Sequence, residues 1–386
     1  MRIVIDIRHL TRPEQSGVGE YTVNLLHALF SFPTEHSFFL LSSGSKAAWE
    51  NVPRFSAPNI QHIHVPVPNR LLNASLLATR RPFLDALTLG PDACRAPDDL
   101  AFFFPNLNMI SLPTHVPYVL TLHDLSFEIF PHFYSRKSRL WHRLARPRRL
   151  ATRARTIITP SQATKEDVAR LYGVPKARIQ VIPHGLTSAF SPKPEPGDHG
   201  VRSRYRLPKR FALMVGTLEA RKNVRMVEEA LARYRAETAD ELHLALAGKA
   251  TPYFERLTRE LPLEHQKYVH HLGYVPTEHR PALYRLAHVT LFPSIYEGFG
   301  LPILESMASG TPVITSHTSS MPDVSGNAAI LINPFNASDL VLTLKELMRS
   351  DPLKHRLRER GLEHAQRFSW DAAARNTLRV LTASVH

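Results

Sequence analysis

Residues 293–313 read PSIYEGFGLPILESMASGTPV. They follow HVTLF (288–292), an apolar run of β type. Gly298 and Gly300 form a turn, and Pro302 sits where a helix would begin. Proline loses nothing at the first helical position, because its missing N–H would be unsatisfied there anyway. ILESMASG continues at helical spacing, Gly310 ends it, and Pro312 keeps it ended. The stretch is therefore strand, glycine loop and helix N-terminus, which is how an anion site is built. Backbone N–H groups of Phe299, Gly300 and Leu301 can converge on a phosphate, and the helix dipole favours the negative charge.

Glu297 precedes the glycines and Glu305 lies on the helix. Carboxylates beside a phosphate repel it unless something lies between. Sugar hydroxyls fit, because they donate to carboxylates at close range. The plain alternative is a loop charge at 297 and an exposed helix residue at 305.

Working outward, FALMVGTLEARKN (211–223) repeats the strand–loop–helix plan, with Arg221 and Lys222 at the mouth of the turn. LHLALAGKA is a further strand and turn that reaches Gly248. Near the N-terminus, IVIDI (3–7) reads as a buried strand, followed by the loop RHLTRPEQSGVGEY and the helical TVNLLHALF. Gly17 and Gly19 stand just before that helix. A second strand, PYVLTL, ends at His123 and Asp124, and groups at the carboxyl ends of parallel strands are where ligands are met. The order of strands and helices implies two doubly wound α/β domains.

The chain has 386 residues, too long for one compact core. Its single cysteine, Cys94, excludes an internal disulfide and fits a reducing compartment. Its N-terminus lacks the pattern of a signal peptide, and no apolar run approaches a membrane span. These features point to a cytoplasmic protein, at most peripheral on the inner face of a membrane. The net charge of +14 suits anionic partners. Aromatic residues do not interleave with basic ones as an RNA-binding sheet requires, so nucleic acid is not expected. The histidines form no metal spacing. Nothing acidic occurs between Glu128 and Glu166, while residues 136–155 carry nine Arg and Lys among Leu140, Trp141, Leu144 and Leu150. Such a tract either lies on an anionic membrane surface or is a solvated helix face with its apolar side in the core. SPKPEPGDHG (191–200) is too rich in Pro and Gly for a helix and reads as the interdomain linker.

The E-x7-E spacing of Glu297 and Glu305, GFGLP and ASGTPV together resemble the retaining family 4 (glycosyl group 1) glycosyltransferases. The resemblance covers almost the whole chain. It implies a GT-B enzyme of two Rossmann-like domains facing across a cleft: 1–190 on the acceptor side, a linker 191–205, and 206–367 for the nucleotide sugar. The last helix, 368–386, would return to the first domain, with Trp370 as a packing anchor. The resemblance implies that Arg221 and Lys222 hold the donor diphosphate together with Phe299, Gly300 and Leu301, and that Gly17 and Gly19 lie against it. His123 would touch the donor sugar, with Asp124 orienting it or binding acceptor, and Glu297 would bind sugar hydroxyls. Gly248, Tyr274 and Val275 would meet the nucleobase and Glu305 the ribose. No metal or other cofactor is expected.

SGVGEYTVNLL, TLHDLSF and VGTLEARKN look most like mannosyltransferase-type members that build bacterial surface polysaccharides. That implies GDP-mannose, with UDP-sugars as the alternative, and a saccharide acceptor on a lipid. Rival readings are a sugar-nucleotide epimerase of the same fold, a phosphorylase, and a non-enzymatic membrane or nucleic-acid binder.

Overall fold

The computed structural model describes residues 1–11, 17–79, 81, 83–90 and 99–384. Cys94 and part of the loop before Gly17 lie outside these residues. The chain divides into two compact units, one of residues 1–185 and 370–386 and one of residues 186–369.

The first unit is a seven-stranded parallel sheet. Its strands are β1 (Arg2–Asp6), β2 (Ser37–Ser43), β3 (Ile60–Val65), β4 (Leu100–Phe104), β5 (Tyr118–Thr121), β6 (Thr156–Thr159) and β7 (Ile179–Val181), in the order 3-2-1-4-5-6-7. Alternate residues feed two cores. Val4, Phe102, Phe104 and Leu120 enter one, and Ile3, Ile5, Phe103 and Val119 enter the other. Burial on both faces is why these strands read as unbroken apolar runs.

The second unit is a six-stranded parallel sheet: β8 (Phe211–Val215), β9 (His243–Ala247), β10 (Val269–Gly273), β11 (Val289–Phe292), β12 (Val313–Ser316) and β13 (Ile330–Ile332), in the order 10-9-8-11-12-13. Ala212, Met214, Leu244 and Leu291 pack on one face, and Phe211, Leu213, Ala245 and Phe292 on the other.

Each sheet reverses its winding order once, between β1 and β4 in the first and between β8 and β11 in the second. Ligands of doubly wound sheets bind at the carboxyl ends of the strands at such a point.

The expected linker corrects in one respect: residues Asp198–Arg204 form a helix. The proline-rich run ends before it. Asp198 stands in the first turn and Arg202 and Arg204 in the last, as the helix dipole favours. Asp198 pairs with Arg285 at 2.6 Å, and Val201 is buried in the second unit's core. The closing helix Trp370–Ala383 packs against the helix Gly17–Phe30 within the first unit, with Trp370, Ala373, Ala374 and Leu381 buried in a shared core.

Candidate active site

In the second unit the loop after β8 and the loop after β11 meet through three charged side chains. Glu297 Oε1 lies 2.5 Å from Arg221 Nη1 and 2.6 Å from Lys222 Nζ. Glu297 and Lys222 are each 8% exposed, so neither is a solvated loop charge. Arg221 is steadied further by Glu219 at 2.9 Å and by the Tyr296 carbonyl at 3.3 Å. Lys222 Nζ also sits 4.4 Å from the centre of the Phe292 ring.

Burial pushes the Glu297 carboxyl up, but the two cations pull it further down, to about 2. Burial pushes the Lys222 ammonium down, against the pull of Glu297. Two cations, Arg221 and Lys222, face two carboxylates, Glu219 and Glu297, so the group is balanced in charge and offers an incoming anion prepositioned N–H donors. Because the folded carboxyl titrates below its ordinary range, its stabilising effect is complete above about pH 4.5. It is lost as pH falls towards 2. A melting temperature that falls over this range in the native chain, and falls less in Glu297→Gln, is the expected result.

The loop that carries Glu297 is stitched down by hydroxyls after β12. Ser316 Oγ donates to the Ser294 carbonyl at 2.6 Å and Thr318 Oγ1 to Ile295 at 3.0 Å. Ser319 Oγ donates to the Glu297 carbonyl at 2.6 Å, and Ser320 Oγ to Phe299 at 2.7 Å. Sequence reasoning missed this run; its signal is SHTSS directly after the strand VIT.

The helix Leu301–Ala308 begins behind Gly300, whose φ is 117°. A Cβ there would lie 3.2 Å from Ile303 Cδ1 and 3.3 Å from Phe292 Cε1, so glycine satisfies both conformation and space. Phe299 is buried against Phe368. Glu305 is buried too, not an exposed helix residue. Its Oε2 accepts from the Tyr284 hydroxyl at 2.7 Å, and its Oε1 lies 3.6 Å from Arg280 Nη1.

Gly248 donates to the Gly273 carbonyl at 2.8 Å and accepts from His271 Nε2 at 2.9 Å, which ties the turns after β9 and β10 together. Tyr274 is half exposed, while the Val275 side chain is in the core.

In the first unit a cavity of about 630 Å³ opens at the switch between β1 and β4. Gly19, His123 and Asp124 line it, with Arg8, Asn69 and Asn108. Gly17 opens the helix Gly17–Phe30 and is exposed. His123 Nε2 meets the Pro105 carbonyl at 2.8 Å, so that nitrogen carries the hydrogen. Burial holds the ring's pKa below the ordinary histidine range. The neutral ring therefore offers Nδ1 as an acceptor. Asp124 Oδ1 accepts from the Ser126 N–H at 2.9 Å and its hydroxyl at 2.5 Å, just before the short helix Ser126–Ile129.

Arg8 is the residue that sequence reasoning missed here. Its Nε and Nη2 grip Asp6 at 2.8 and 2.7 Å, and Nη2 also reaches the Met109 carbonyl at 2.9 Å. Nη1 is buried without a partner among the described residues, in a residue that lines the cavity. Burial would raise Asp6, but Arg8 holds it below the usual carboxylate range. The only sequence signal was the pair of charges, Asp6 and Arg8, at the carboxyl end of the apolar run.

Behind His123 lies a packed cluster of rings. Tyr21 is 4.6 Å from both His123 and His184, and His184 stacks on Trp370 at 6.1 Å. Burial holds His184 well below its ordinary pKa. Below about pH 6.5 the unfolded chain takes up protons at 123 and 184 that the folded chain does not, so stability falls as pH drops. His184→Phe, which keeps a ring in place, should flatten the decline of melting temperature between pH 7 and 5. An unchanged slope would show that His184 does not contribute to it.

The pattern that defines the family described as "Glycosyl transferases group 1" matches residues 202–364, and "Glycosyltransferase Family 4" matches residues 15–190. The chain is 31% identical over 268 residues to the O-antigen chain mannosyltransferase B of Escherichia coli, covering 67% of this chain and 68% of that protein. The chain belongs to the group 1 glycosyltransferases. This group 1 glycosyltransferase is also 28% identical to the serotype-specific mannosyltransferase WbdA of Escherichia coli, over 56% of its own length but only 27% of WbdA. The solved structure of Anabaena Alr3699/HepE in complex with UDP-glucose superposes with a TM-score of 0.73 at 17% identity, covering 99% of this chain and all of that one. That likeness fixes the fold of the group 1 glycosyltransferase as GT-B. Its reaction class is that of a nucleotide-sugar-dependent hexosyltransferase.

Proposed function

We propose that the chain transfers mannose from GDP-mannose, with retention at the anomeric carbon, to a saccharide carried on a lipid during synthesis of a bacterial surface polysaccharide. The observation that carries the donor half is the buried Arg221–Lys222–Glu297 group. Two relatives named as mannosyltransferases support the choice of sugar.

Breaking the donor's glycosidic bond builds negative charge on the leaving diphosphate. Groups aimed in advance at that charge lower the barrier more than groups that bind the ground state equally well. Lys222 is buried and Arg221 is partly buried, so water screens them little, and Glu297 fixes their positions before the donor arrives. The N–H groups at Phe299, Gly300 and Leu301 add the helix dipole. We assign the charge stabilisation to these side chains and propose no metal for it.

Retention through a covalent intermediate would need a free carboxylate nucleophile. Glu297 Oε1 is held by two cations, which lowers its nucleophilicity. The reading is therefore front-face attack, with the leaving phosphate taking the acceptor's proton. The ionised Glu297 accepts hydroxyls of the transferred sugar. A sugar in the first unit's cavity would give a hydroxyl hydrogen to His123 Nδ1. Glu297→Gln should lower turnover about tenfold or more by loosening both cations. Full turnover in that variant would remove Glu297 from the site.

The test is nucleoside diphosphate release by purified protein with a panel of nucleotide sugars, with and without bacterial lipid extract. Release from GDP-mannose alone, stimulated by the extract, is expected. Release from another donor would overturn the sugar. Formation of a new nucleotide sugar without acceptor would favour an epimerase.

We extend the reading to a cytoplasmic enzyme that rests on an anionic membrane surface. Among the described residues no helix is long and apolar enough to cross a membrane. The basic tract folds as two helices, Arg136–Ala145 and Pro147–Arg153. Leu150 is core, but Leu140 is 56% exposed between Arg139 and Arg143. Arg139→Glu with Leu140→Glu should abolish flotation with phosphatidylglycerol vesicles. Undiminished flotation would assign the tract to solvent.

A further inference from the structure

A second cavity of about 490 Å³ lies in the first unit, and none of the assignments above uses it. Its floor is apolar: Leu76, Met109, Leu112 and Leu150 line it and are buried. Its other lining is basic. Arg81, Arg146, Arg149 and Arg153 all border it, and among the described residues no carboxylate does. Arg153 gives one nitrogen to the Pro113 carbonyl, while its Nε is buried without a partner among the described residues. An apolar floor beside uncompensated guanidinium groups matches an amphiphile with an anionic head. Guanidinium forks fit phosphate oxygens in particular.

Three segments run from the His123 cavity into this one. The helix Asn69–Ala78 puts Asn69 and Asn73 in the first and Leu76 and Leu77 in the second. Asn106 and Asn108 line the first, and Met109 and Ile110, next along the chain, line the second. The helix Arg136–Ala145 gives Ser138 and Trp141 to the first and Leu144 to the second. Successive turns of a helix are about 5.4 Å apart, and residues 106–110 are consecutive in the chain, so the polar and the apolar-basic cavity are neighbours along all three.

Arg146 points the same way. It has φ 52° and ψ 55°, at the end of one helix and directly before Pro147 of the next. Glycine is favoured there, and a left-handed non-glycine residue is retained at a cost that signals a use for its side chain.

We propose that this cavity binds the lipid phosphate carrier of the acceptor. Arg146, Arg149 and Arg153 would meet the phosphate or diphosphate, and the first part of the chain would lie on Leu76, Leu112 and Leu150. The saccharide would then extend into the neighbouring cavity of Arg8 and His123. The proposal rests on the reading that the acceptor is lipid-linked.

The test is calorimetric titration of the full chain with farnesyl diphosphate, inorganic diphosphate and farnesol in separate arms. Farnesyl diphosphate should bind at least tenfold tighter than either half. Arg149→Glu and Arg146→Gly should each weaken it tenfold or more. Arg146→Gly should melt no lower than the native chain, because glycine relieves the left-handed backbone, so its weaker binding would not be unfolding. Binding unchanged in both variants, or inorganic diphosphate as tight as farnesyl diphosphate, would overturn the cavity assignment. So would weakened binding to phosphatidylglycerol vesicles with farnesyl diphosphate unaffected, since the arginines would then hold a bilayer. The acceptor reading fails separately: nucleoside diphosphate release stimulated by a free oligosaccharide and not by lipid extract would overturn it whatever the titration shows.

Discussion

Lys222→Met should lower turnover by about 100-fold or more, the scale for removing one preorganised group from a developing charge. The ammonium is buried beside Glu297 and the Phe292 ring, so water cannot replace it. Methionine keeps an unbranched apolar stem only one atom shorter, so the main change is the loss of charge. It also leaves Glu297 with Arg221 as its remaining cation, and breaking a buried ion pair destabilises by about 3 kcal/mol or more. Stability and turnover are therefore to be read apart. Adding Glu297→Gln to Lys222→Met should recover part of the lost melting temperature and none of the lost turnover. If the double variant regained turnover with stability, Lys222 would be a structural cation and not a charge stabiliser.

Gly248→Ala should destabilise the second unit by about 3 kcal/mol or more, at the upper end for overpacking. A Cβ at 248 would lie 1.9 Å from the Gly216 carbonyl oxygen and 2.6 Å from its carbon. Both are backbone atoms, so no flexible side chain can give way. The turn cannot simply shift, since Gly216 N donates to Ala247 at 2.9 Å and Gly248 N to Gly273 at 2.8 Å. The turn that would be displaced is the one that leads to Arg221 and Lys222. Denaturant unfolding gives the measurement, and a midpoint equal to that of the native chain would contradict the contact. Gly248 is thus a close-approach glycine whatever else it meets, which the sequence reading, placing it against a nucleobase, did not foresee.

The parts of the site legible in the sequence were those whose chemistry is local. The apolar runs of β8 and β11, the glycines after them and Pro302 announce a strand–loop–helix plan within a dozen residues. Arg221, Lys222 and Glu297 sit on those loops, and the fold brings them together. Arg8 was not legible as a cavity residue because, although its partner Asp6 is local, its other contact is remote: the Met109 carbonyl is 101 residues away. Ser319 and Ser320 were missed for the same reason, since their acceptors lie on a loop 21 to 23 residues earlier. Proline content misled at 191–205, where composition outweighed the charge order of Asp198, Arg202 and Arg204. At His123 the residue and its place at a strand end were readable, but not the direction of its hydrogen bond. That direction is set by the Pro105 carbonyl on a different strand's loop.

The central claim is that the second unit's cation pair anchors the donor diphosphate. The most direct measurement compares the equilibrium binding of GDP and guanosine to the native chain and to Arg221→Met with Lys222→Met. GDP should bind the native chain about 100-fold or more tightly than guanosine, a difference of about 2.7 kcal/mol, and the double variant should lose most of that margin. Equal binding of the two ligands by the native chain, or an undiminished preference for GDP in a folded double variant, would contradict it.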